Sequence, residues 1–242
     1  MTPPPLVFLH GWAQSRQIWY QQQRAFPQAH FMNLPGHGGA MNASADAWLD
    51  LLVAQLPDEP CALIGWSLGG MLALEIAHRF PDRIAALGLI ATTPRFRADD
   101  AWPCGCDEAT FAAFYEAVAS ASPRALNRFF ALMLHGDDLP RSRYNELARH
   151  AVDRQNPATS SALSAGLALL ASLDLRQSLA LADLPVLLIH GEQDAIVPVA
   201  AGRWLAEQLP GAQAHYADAC GHAPFLSQPE RFNTILKEWW QQ

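Results

Sequence analysis

The sequence predicts an α/β fold: a doubly wound, mostly parallel sheet interrupted by a helical lid. Three observations support this prediction. Short apolar strand candidates alternate with helical patterns up to residue 96, only helical patterns fill about 97–175, and the alternation resumes over 176–242. Alternation of this kind produces parallel strands with ligand sites at their carboxyl ends. We therefore predict a single domain (1–242) whose core is formed by residues 1–96 and 176–242.

The individual elements are predicted from apolar runs bounded by Gly and Pro and from apolar residues at helical spacing. Before the lid, the strand candidates are residues 6–9, 29–34, 61–64 and 84–91, and the helix candidates are 18–26, 45–56 and 70–80. Within the lid, helical patterns cover 111–118, 123–134 and 162–173. After the lid, strands are predicted at 185–190 and 212–217, and helices at 199–209 and 229–240.

Composition and charge narrow the class of protein. A chain of 242 residues, of which 50% are hydrophobic and 16% charged, suits one large core with a sheet buried on both faces. The net charge of −7 argues against a general nucleic-acid-binding protein, which needs Lys and Arg to neutralise phosphates. The first apolar run ends at His10-Gly11, too short for a signal peptide or a membrane span. We therefore expect a cytoplasmic protein that does not bind membranes.

The cysteines predict neither a metal site nor disulfides. The four cysteines lack the paired spacing of a zinc site, so we expect reduced thiols and no bound metal. Only Cys104 and Cys106 lie close together. An ordinary loop is the favoured interpretation of this pair, and a metal or redox role is the alternative.

The strongest motif is Gly65-Trp66-Ser67-Leu68-Gly69, which lies where a predicted strand leads into a predicted helix. A turn this sharp brings the strand and helix backbones so close that a Cβ at either glycine would clash. The serine between them is exposed at the top of the turn, as in a nucleophile elbow. Ser67 is therefore our candidate nucleophile.

A serine hydroxyl needs a base within hydrogen-bond reach and a third group that orients the base. On this kind of sheet the expected order along the chain is Ser, then Asp or Glu, then His. Asp194 follows the strand predicted at 185–190, and His222 follows the last predicted strand. Glu192 is an alternative to Asp194, whereas Asp218 precedes His222 too closely to orient it easily. Asp194 as a loop cap and His222 as a surface residue are the alternatives without a catalytic role.

The oxyanion formed during acyl transfer needs preorganised hydrogen-bond donors. One is expected to be the backbone N–H of Leu68, the residue after the nucleophile. The other is expected from the loop His10-Gly11-Trp12 after the first strand, which makes the N–H of Trp12 the candidate. We expect the Trp12 indole to line the pocket as well. A tryptophan that only fills the core is the alternative.

These motifs, together with narrower ones at the ends of the lid, resemble a known family. The matching segments are Leu9-His10-Gly11-Trp12, Leu34-Pro35-Gly36, Gly65 to Gly70, Thr93 to Phe96 with Trp102-Pro103, Asp174 to Leu179, and His222-Ala223-Pro224-Phe225. Over nearly its whole length the chain resembles the pimeloyl-acyl-carrier-protein methyl ester esterases of biotin synthesis, which have the α/β-hydrolase fold. The Trp102-Pro103 and Asp174 to Gln177 segments are the most specific for that family.

The resemblance implies a serine carboxylesterase that hydrolyses the methyl ester of pimeloyl-acyl carrier protein, releasing methanol. It implies no cofactor, and we expect a monomer whose partner is the acyl carrier protein. The implied substrate-binding residues are Trp12, Ser67, Leu68, Phe129, Phe130, Ala131, Leu132, Met133 and His222. The implied carrier-docking residues are Arg124, Arg128 and Arg141.

The charge of the lid supports an acidic partner independently of the resemblance. Residues 120–155 contain six arginines and four acids, a net charge of +2, which leaves −9 for the rest of the chain. Such a surface would steer an acidic protein toward the lid. A solvated helix face with charges of both signs is the alternative.

The sequence departs from the family in three places. The antiparallel strands that usually precede the first catalytic strand are expected to be shortened or missing. Asn145 stands where the family often has a further basic residue, and Met133 stands where a polar residue is common. Affinity for the carrier is expected to differ accordingly.

Four other functions are weighed against this one, two of which remain open and two of which the sequence disfavours. A general short-chain carboxylesterase or a carbon–carbon bond hydrolase would use the same fold and triad, because the lid decides the substrate. A non-catalytic binding protein on this fold is disfavoured by the intact Ser67, Asp194 and His222. A dehalogenase is disfavoured because the elbow carries a serine where a carboxylate would be needed.

Overall fold

A parallel sheet forms the centre of the protein, as seen in a computed structural model that describes residues 2–119, 123–179, 181 and 184–242. Among these residues, side chains are not described for 113, 114, 117–119 and 123–127. The described sheet has six strands in the order β2-β1-β3-β4-β5-β6, and every neighbouring pair is parallel. The strands are β1 Leu6–Leu9, β2 His30–Met32, β3 Cys61–Trp66, β4 Ile84–Ile90, β5 Val186–Gly191 and β6 Gln213–Ala217.

Helices cover the sheet and form the segment between β4 and β5. Those of the core are α1 Tyr20–Ala25, α2 Trp48–Val53, α3 Leu68–Arg79, α8 Val199–Gln208, α9 Pro224–Ser227 and α10 Pro229–Trp240. Those of the lid are α4 Glu108–Ala119, α5 Pro123–Met133, α6 Arg141–Ala151 and α7 Ser160–Ser172. The predicted fold class is confirmed by the parallel sheet. No described helix has the length and apolar character needed to cross a membrane.

The strand order reverses between β1 and β3, and this reversal positions the site. From β1 the chain moves to the edge strand β2, and it then returns to β3 on the other side of β1. Leu9 at the end of β1 pairs with Gly65 near the end of β3, so the loops after these strands leave the sheet side by side. Ligands bind at such a switch point in open parallel sheets.

Several predicted elements have different bounds in the structure. The edge strand predicted at 29–34 is confined to His30–Met32, ahead of Pro35, whose ring has no N–H to offer a ladder. The helix predicted at 45–56 begins with a 3-10 turn at Ala45–Ala47 and continues as α2, Trp48–Val53.

An aromatic cluster packs behind the switch point. Trp19 packs against Phe225 at 4.0 Å between ring centroids with the rings tilted by 35°, and Trp66 meets the same Phe225 edge-on at 5.1 Å. All three rings are fully buried. Because Trp66 precedes Ser67 and Phe225 follows His222 by three residues, the cluster supports two parts of the predicted site from below.

Candidate active site

Ser67 lies at the turn between β3 and α3 in a strained backbone conformation. Its φ is +56° and its ψ is −121°, a region that non-glycine residues rarely occupy and that is found at functional sites. The Ser67 N–H donates to the carbonyl of Ile90 (2.9 Å), which fixes the turn to the end of β4. A Cβ at Gly65 would collide with the backbone carbonyl of Gly69. The sequence therefore produces the sharp turn that was predicted.

Neighbouring segments hold the elbow on both sides. A Cβ at Gly69 would collide with the carbonyls of His10 and Leu9, so α3 begins directly against the loop after β1. On the other side, the Thr92 hydroxyl donates to the carbonyl of Ser67 (2.7 Å). Ser67 is 8% exposed, so the candidate nucleophile is buried.

Asp194 follows β5 and is held by backbone amides. Its Oδ1 accepts hydrogen bonds from the N–H groups of Ile196 and Val197, each at 2.9 Å. Burial alone would raise the pKa of Asp194, but the interaction with His222 and hydrogen bonds from His190 and His222 hold it below its ordinary value. Asp194 therefore remains a carboxylate near neutral pH.

His222 lies against Asp194 and is completely buried. Its Nδ1 is 2.7 Å from Asp194 Oδ2, so Nδ1 carries the proton and its N–H donates a hydrogen bond to the carboxylate. Nε2, the atom that would act as the base, is buried and has no hydrogen-bond partner among the described residues. The Ser67 hydroxyl therefore does not hydrogen bond to it in this structure. Catalytic hydrogen bonds are often long in the absence of substrate.

Backbone contacts also fix the loop that carries His222. The Trp66 indole N–H donates to the His222 carbonyl (2.8 Å), which joins the residue before the candidate nucleophile to the candidate base. A Cβ at Gly191 would collide with the carbonyls of Gly221 and Cys220, so the loops after β5 and β6 touch. Asp194 and His222, the two candidates from the sequence, are thereby brought together, while their catalytic roles stay a prediction.

The loop after β1 lies directly against Ser67, while its role as an oxyanion donor stays a prediction. A Cβ at Gly11 would lie 3.1 Å from the Cβ of Ser67. Leu34 N–H donates a hydrogen bond to Nε2 of His10 (3.0 Å), so the proton of His10 is on Nδ1. This Nδ1–H donates a hydrogen bond to the Gly11 carbonyl (2.7 Å). Burial, and secondarily His37, lowers the pKa of His10 to about 3. The amide of Leu68, as the first residue of α3, has no acceptor within the helix.

Trp12 is enclosed between the core and the lid. Its indole N–H donates to the Leu163 carbonyl in α7 (3.0 Å), and its ring meets Phe129 of α5 edge-on at 5.2 Å. A Cβ at Gly166 would lie 2.6 Å from Cδ1 of the indole, so only a glycine leaves room for it. The indole therefore contacts two lid helices.

The segment of α5 implied in substrate binding covers the site with part of its surface. Phe129, Phe130 and Met133 are buried, Leu132 is half-buried and Ala131 is exposed. The Met133 carbonyl accepts a hydrogen bond from the N–H of His222 (2.8 Å). The end of α5 thus contacts the loop of the candidate base, while the substrate-binding role of these residues stays a prediction.

Sequence reasoning missed two titratable residues at the site. Asp137, just after α5, accepts from the N–H of Gly221 through Oδ1 (2.6 Å), and burial raises the pKa of Asp137 to about 6. His190, at the end of β5, places Nε2 3.2 Å from Asp194 Oδ2. Its position four residues before Asp194 was the one available signal.

The candidate docking arginines are exposed where their side chains are described. Arg128 and Arg141 are exposed, whereas the side chain of Arg124 lies outside the described residues. The four cysteines are free thiols. Within the described parts of the chain, no group of three or more His, Cys, Asp or Glu residues could hold a metal ion.

Comparison with known proteins defines the class first. A model of the alpha/beta hydrolase fold family matches residues 4–229. An esterase from Exiguobacterium antarcticum has a TM-score of 0.84 and 23% identity, covering 99% of this chain and 92% of that chain. A bromoperoxidase from Bacillus anthracis has a TM-score of 0.84 and 22% identity, covering 100% of this chain and 93% of that chain. At these identities the likeness shows the fold alone, which is the α/β-hydrolase fold.

Closer relatives define the family within that class. A pimeloyl-acyl-carrier-protein methyl ester esterase from Aromatoleum aromaticum is 41% identical, over 98% of this chain and 98% of the relative. One from Nitrosomonas europaea is 39% identical, over 95% of this chain and 92% of the relative. The chain belongs to the family of pimeloyl-acyl-carrier-protein methyl ester esterases. The resemblance identified in the sequence is thereby confirmed.

Proposed function

We propose that this chain is a serine carboxylesterase that hydrolyses the methyl ester of pimeloyl-acyl carrier protein to pimeloyl-acyl carrier protein and methanol in biotin biosynthesis. The names of its relatives give the substrate. The hydrogen bond of 2.7 Å between buried Asp194 and His222, beside the elbow of Ser67, is the observation that carries the chemistry. In this proposal the chain acts as a cytoplasmic monomer, as expected from the sequence, and its partner is the acyl carrier protein.

The first half of the reaction would transfer the acyl group to the enzyme. Ser67 Oγ attacks the ester carbonyl carbon while Nε2 of His222 takes the hydroxyl proton. The carbonyl oxygen becomes an oxyanion, which the amides of Trp12 and Leu68 stabilise. The bond to the methoxy oxygen then breaks, and methanol leaves with the proton from His222. The acyl group remains esterified to Ser67.

The second half would return the enzyme to its starting state. Nε2 of His222 takes a proton from water, which attacks the acyl-enzyme carbonyl, and the same two amides hold the second oxyanion. Collapse releases the free carboxylic acid on the carrier, and Ser67 recovers its proton from His222. Asp194 holds the imidazole in the tautomer that leaves Nε2 free to act as the base.

The lid is proposed to recognise the carrier. The exposed Arg128 and Arg141 lie on α5 and α6, in the stretch of the chain that has a net positive charge. Arg124 belongs to the same proposal on the basis of its position in α5. Complementary charge of this kind increases the association rate with an acidic protein and falls in strength with added salt.

The deciding experiment compares hydrolysis of pimeloyl-carrier methyl ester with that of the free methyl ester of pimelic acid. Methanol release and the loss of the methyl mass from the carrier are measured for the wild type and Ser67→Ala. We expect a higher kcat/KM on the carrier-bound ester and no turnover by Ser67→Ala. Equal kcat/KM on both esters would reject the carrier-bound substrate and favour a general carboxylesterase. Full turnover by Ser67→Ala would reject the serine mechanism.

A further inference from the structure

A second histidine contacts the acid of the proposed triad. His190, the fifth residue of β5, is 3% exposed, and its Nε2 lies 3.2 Å from Asp194 Oδ2. The same nitrogen lies 2.9 Å from the carbonyl oxygen of Val197. Asp194 therefore has an imidazole on each side, one from the end of β5 and one, His222, from the loop after β6.

The surroundings of His190 determine which ring nitrogen carries a proton. Both groups near Nε2 are acceptors, the Val197 carbonyl and the Asp194 carboxylate, so Nε2 must be the donor. On the other side of the ring, a Cβ at Gly202 in α8 would lie 2.5 Å from Nδ1. A glycine is therefore needed there for the ring to occupy this position. The ring is fixed with its N–H between the Val197 carbonyl, 2.9 Å away, and Asp194 Oδ2, 3.2 Å away, so the two acceptors share this donor.

With this contact, the carboxylate of Asp194 has four donors. Oδ1 accepts from the amides of Ile196 and Val197, and Oδ2 accepts from His222 and His190. A carboxylate has about four lone-pair positions, so its capacity is filled. The two imidazoles share one oxygen. Negative charge on Oδ2 that is engaged by His190 is less available to His222.

We propose that His190 is a positioning residue for the proposed hydrolysis: it holds Asp194 in place and limits how strongly Asp194 attracts the proton of His222. The inference rests on the proposed function, because it assigns a role within that triad. Other titratable groups near the carboxylate are Asp137 from the lid and Cys220 from the loop after β6. Neither donates a hydrogen bond to Asp194 among the described contacts.

The test compares two substitutions that differ in the donor they retain. His190→Gln keeps an N–H group near the position of Nε2, whereas His190→Met keeps the volume and removes the donor. Loss of a hydrogen bond to a charged group corresponds to about 10- to 100-fold in rate. We expect His190→Met to lose this much in kcat on a p-nitrophenyl ester with little change in KM, and His190→Gln to recover most of it.

The pH profile separates positioning from a general structural effect. Without His190, the full charge of Oδ2 acts on His222 and stabilises its protonated form. The acid limb of kcat/KM should therefore move to higher pH in His190→Met and stay near the wild-type position in His190→Gln. Leu188→Met, which replaces a buried residue of the same strand, is the matched control and should change neither kcat nor the limb.

A second measurement does not depend on turnover. The NMR resonance of the proton on Nδ1 of His222 is assigned by its absence from the spectrum of His222→Ala. This resonance should shift in His190→Met and stay unchanged in Leu188→Met. The proposal is overturned if folded His190→Met keeps the wild-type kcat, the wild-type acid limb of kcat/KM and the wild-type His222 resonance. It is also overturned if His190→Gln and His190→Met lose kcat equally and neither moves the acid limb. If wild type hydrolyses no ester, the proposed function fails, and the resonance alone decides whether His190 acts on the pair.

Discussion

The core and the lid contribute to the site in different ways. In the core, the candidate catalytic residues follow strand ends, and Asp194 is fixed by short-range contacts from the amides of Ile196 and Val197. In the lid, the contacts are made by segments far away in sequence, such as the Leu163 carbonyl on Trp12. The core therefore sets the chemistry, and the lid sets the walls and the access. Substitutions in the core should affect all esters alike, whereas lid substitutions should distinguish among them.

The largest effect is expected from Ser67→Ala in the core. Without the nucleophile, kcat/KM should fall by at least about 10⁴-fold on both the carrier-bound ester and p-nitrophenyl esters. Stopped assays with purified protein measure the loss, and thermal unfolding checks that the fold is kept. Ser142→Ala, an exposed serine of α6, is the control. A loss confined to one of the two substrates would contradict the assignment of chemistry to the core.

The next effect concerns the stability of the core in acid. Burial lowers the pKa of His37 to about 4 and, with His37, that of His10 to about 3. Below their ordinary pKa near 6.5 the unfolded chain binds protons that the folded chain excludes, so the free energy of unfolding falls as pH decreases from about 6.5 to about 4. Each histidine should contribute about 1.4 kcal/mol per pH unit within its window.

Comparison with His37→Asn isolates one of these contributions. Asn retains a donor for the Pro35 carbonyl, which accepts from His37 in the wild type, but does not titrate. Asp137 contributes with the opposite sign, since its pKa is raised, and it cancels in the comparison. Urea unfolding from pH 6 to pH 4.5 should show a slope shallower by about 1.4 kcal/mol per pH unit in the variant. Parallel slopes would refute a buried, uncharged His37.

A smaller effect is expected where the lid meets the core, at Gly166. In Gly166→Ala the new methyl group would lie 2.6 Å from the Trp12 ring, so the indole must move. A shift of the loop His10-Gly11-Trp12, which is proposed to supply one oxyanion donor, should lower kcat about 10-fold. Alanine favours a helix over glycine by about 1 kcal/mol, so α7 itself should not be weakened. Ser164→Ala, exposed on the same helix, is the control, and unchanged kcat in Gly166→Ala would show that Trp12 is not held by the lid.

The smallest effect, and the most selective, is expected on the lid surface. The double substitution Arg128→Glu with Arg141→Glu should raise KM for the carrier-bound ester about 3- to 10-fold and leave KM for p-nitrophenyl esters unchanged. The difference should shrink with added salt. Arg24→Glu with Arg79→Glu, the same charge change on the core, is the control. Equal increases on both substrates would argue against docking at these arginines.

The sequence was sufficient to predict the features that depend on local pattern. The succession of strands and helices along the chain and the position of Ser67 follow from apolar runs and from glycines whose Cβ would collide with backbone, as at Gly65. Asp194 and His222 were predicted because parallel strands present their carboxyl ends at one edge of the sheet. These features can be predicted because the spacing of apolar residues and glycines along the chain indicates where strands, helices and sharp turns lie.

Features that depend on contacts between distant segments were not predicted. The contacts of Asp137 with Gly221 and of His190 with Asp194 leave no pattern in the sequence, because they form only when the loops pack together. The fit of Gly166 against Trp12 joins a lid helix to the first loop, and a lone glycine in a helical pattern does not reveal its neighbour. The lid helix α6 and the short α9 were likewise not singled out from their patterns.

The bond from the Trp66 indole to the His222 carbonyl has a consequence for synthesis of the protein. The two residues are 156 positions apart, so the whole lid is translated after Trp66 and before His222. On the ribosome, the elbow and the lid emerge while the loop of His222 has yet to be translated. Until then Trp66 lacks its acceptor, Met133 lacks its donor, and Asp194 lacks one imidazole. A nascent chain can therefore form most of its sheet while remaining inactive, and hydrolysis begins only after the last strand has joined.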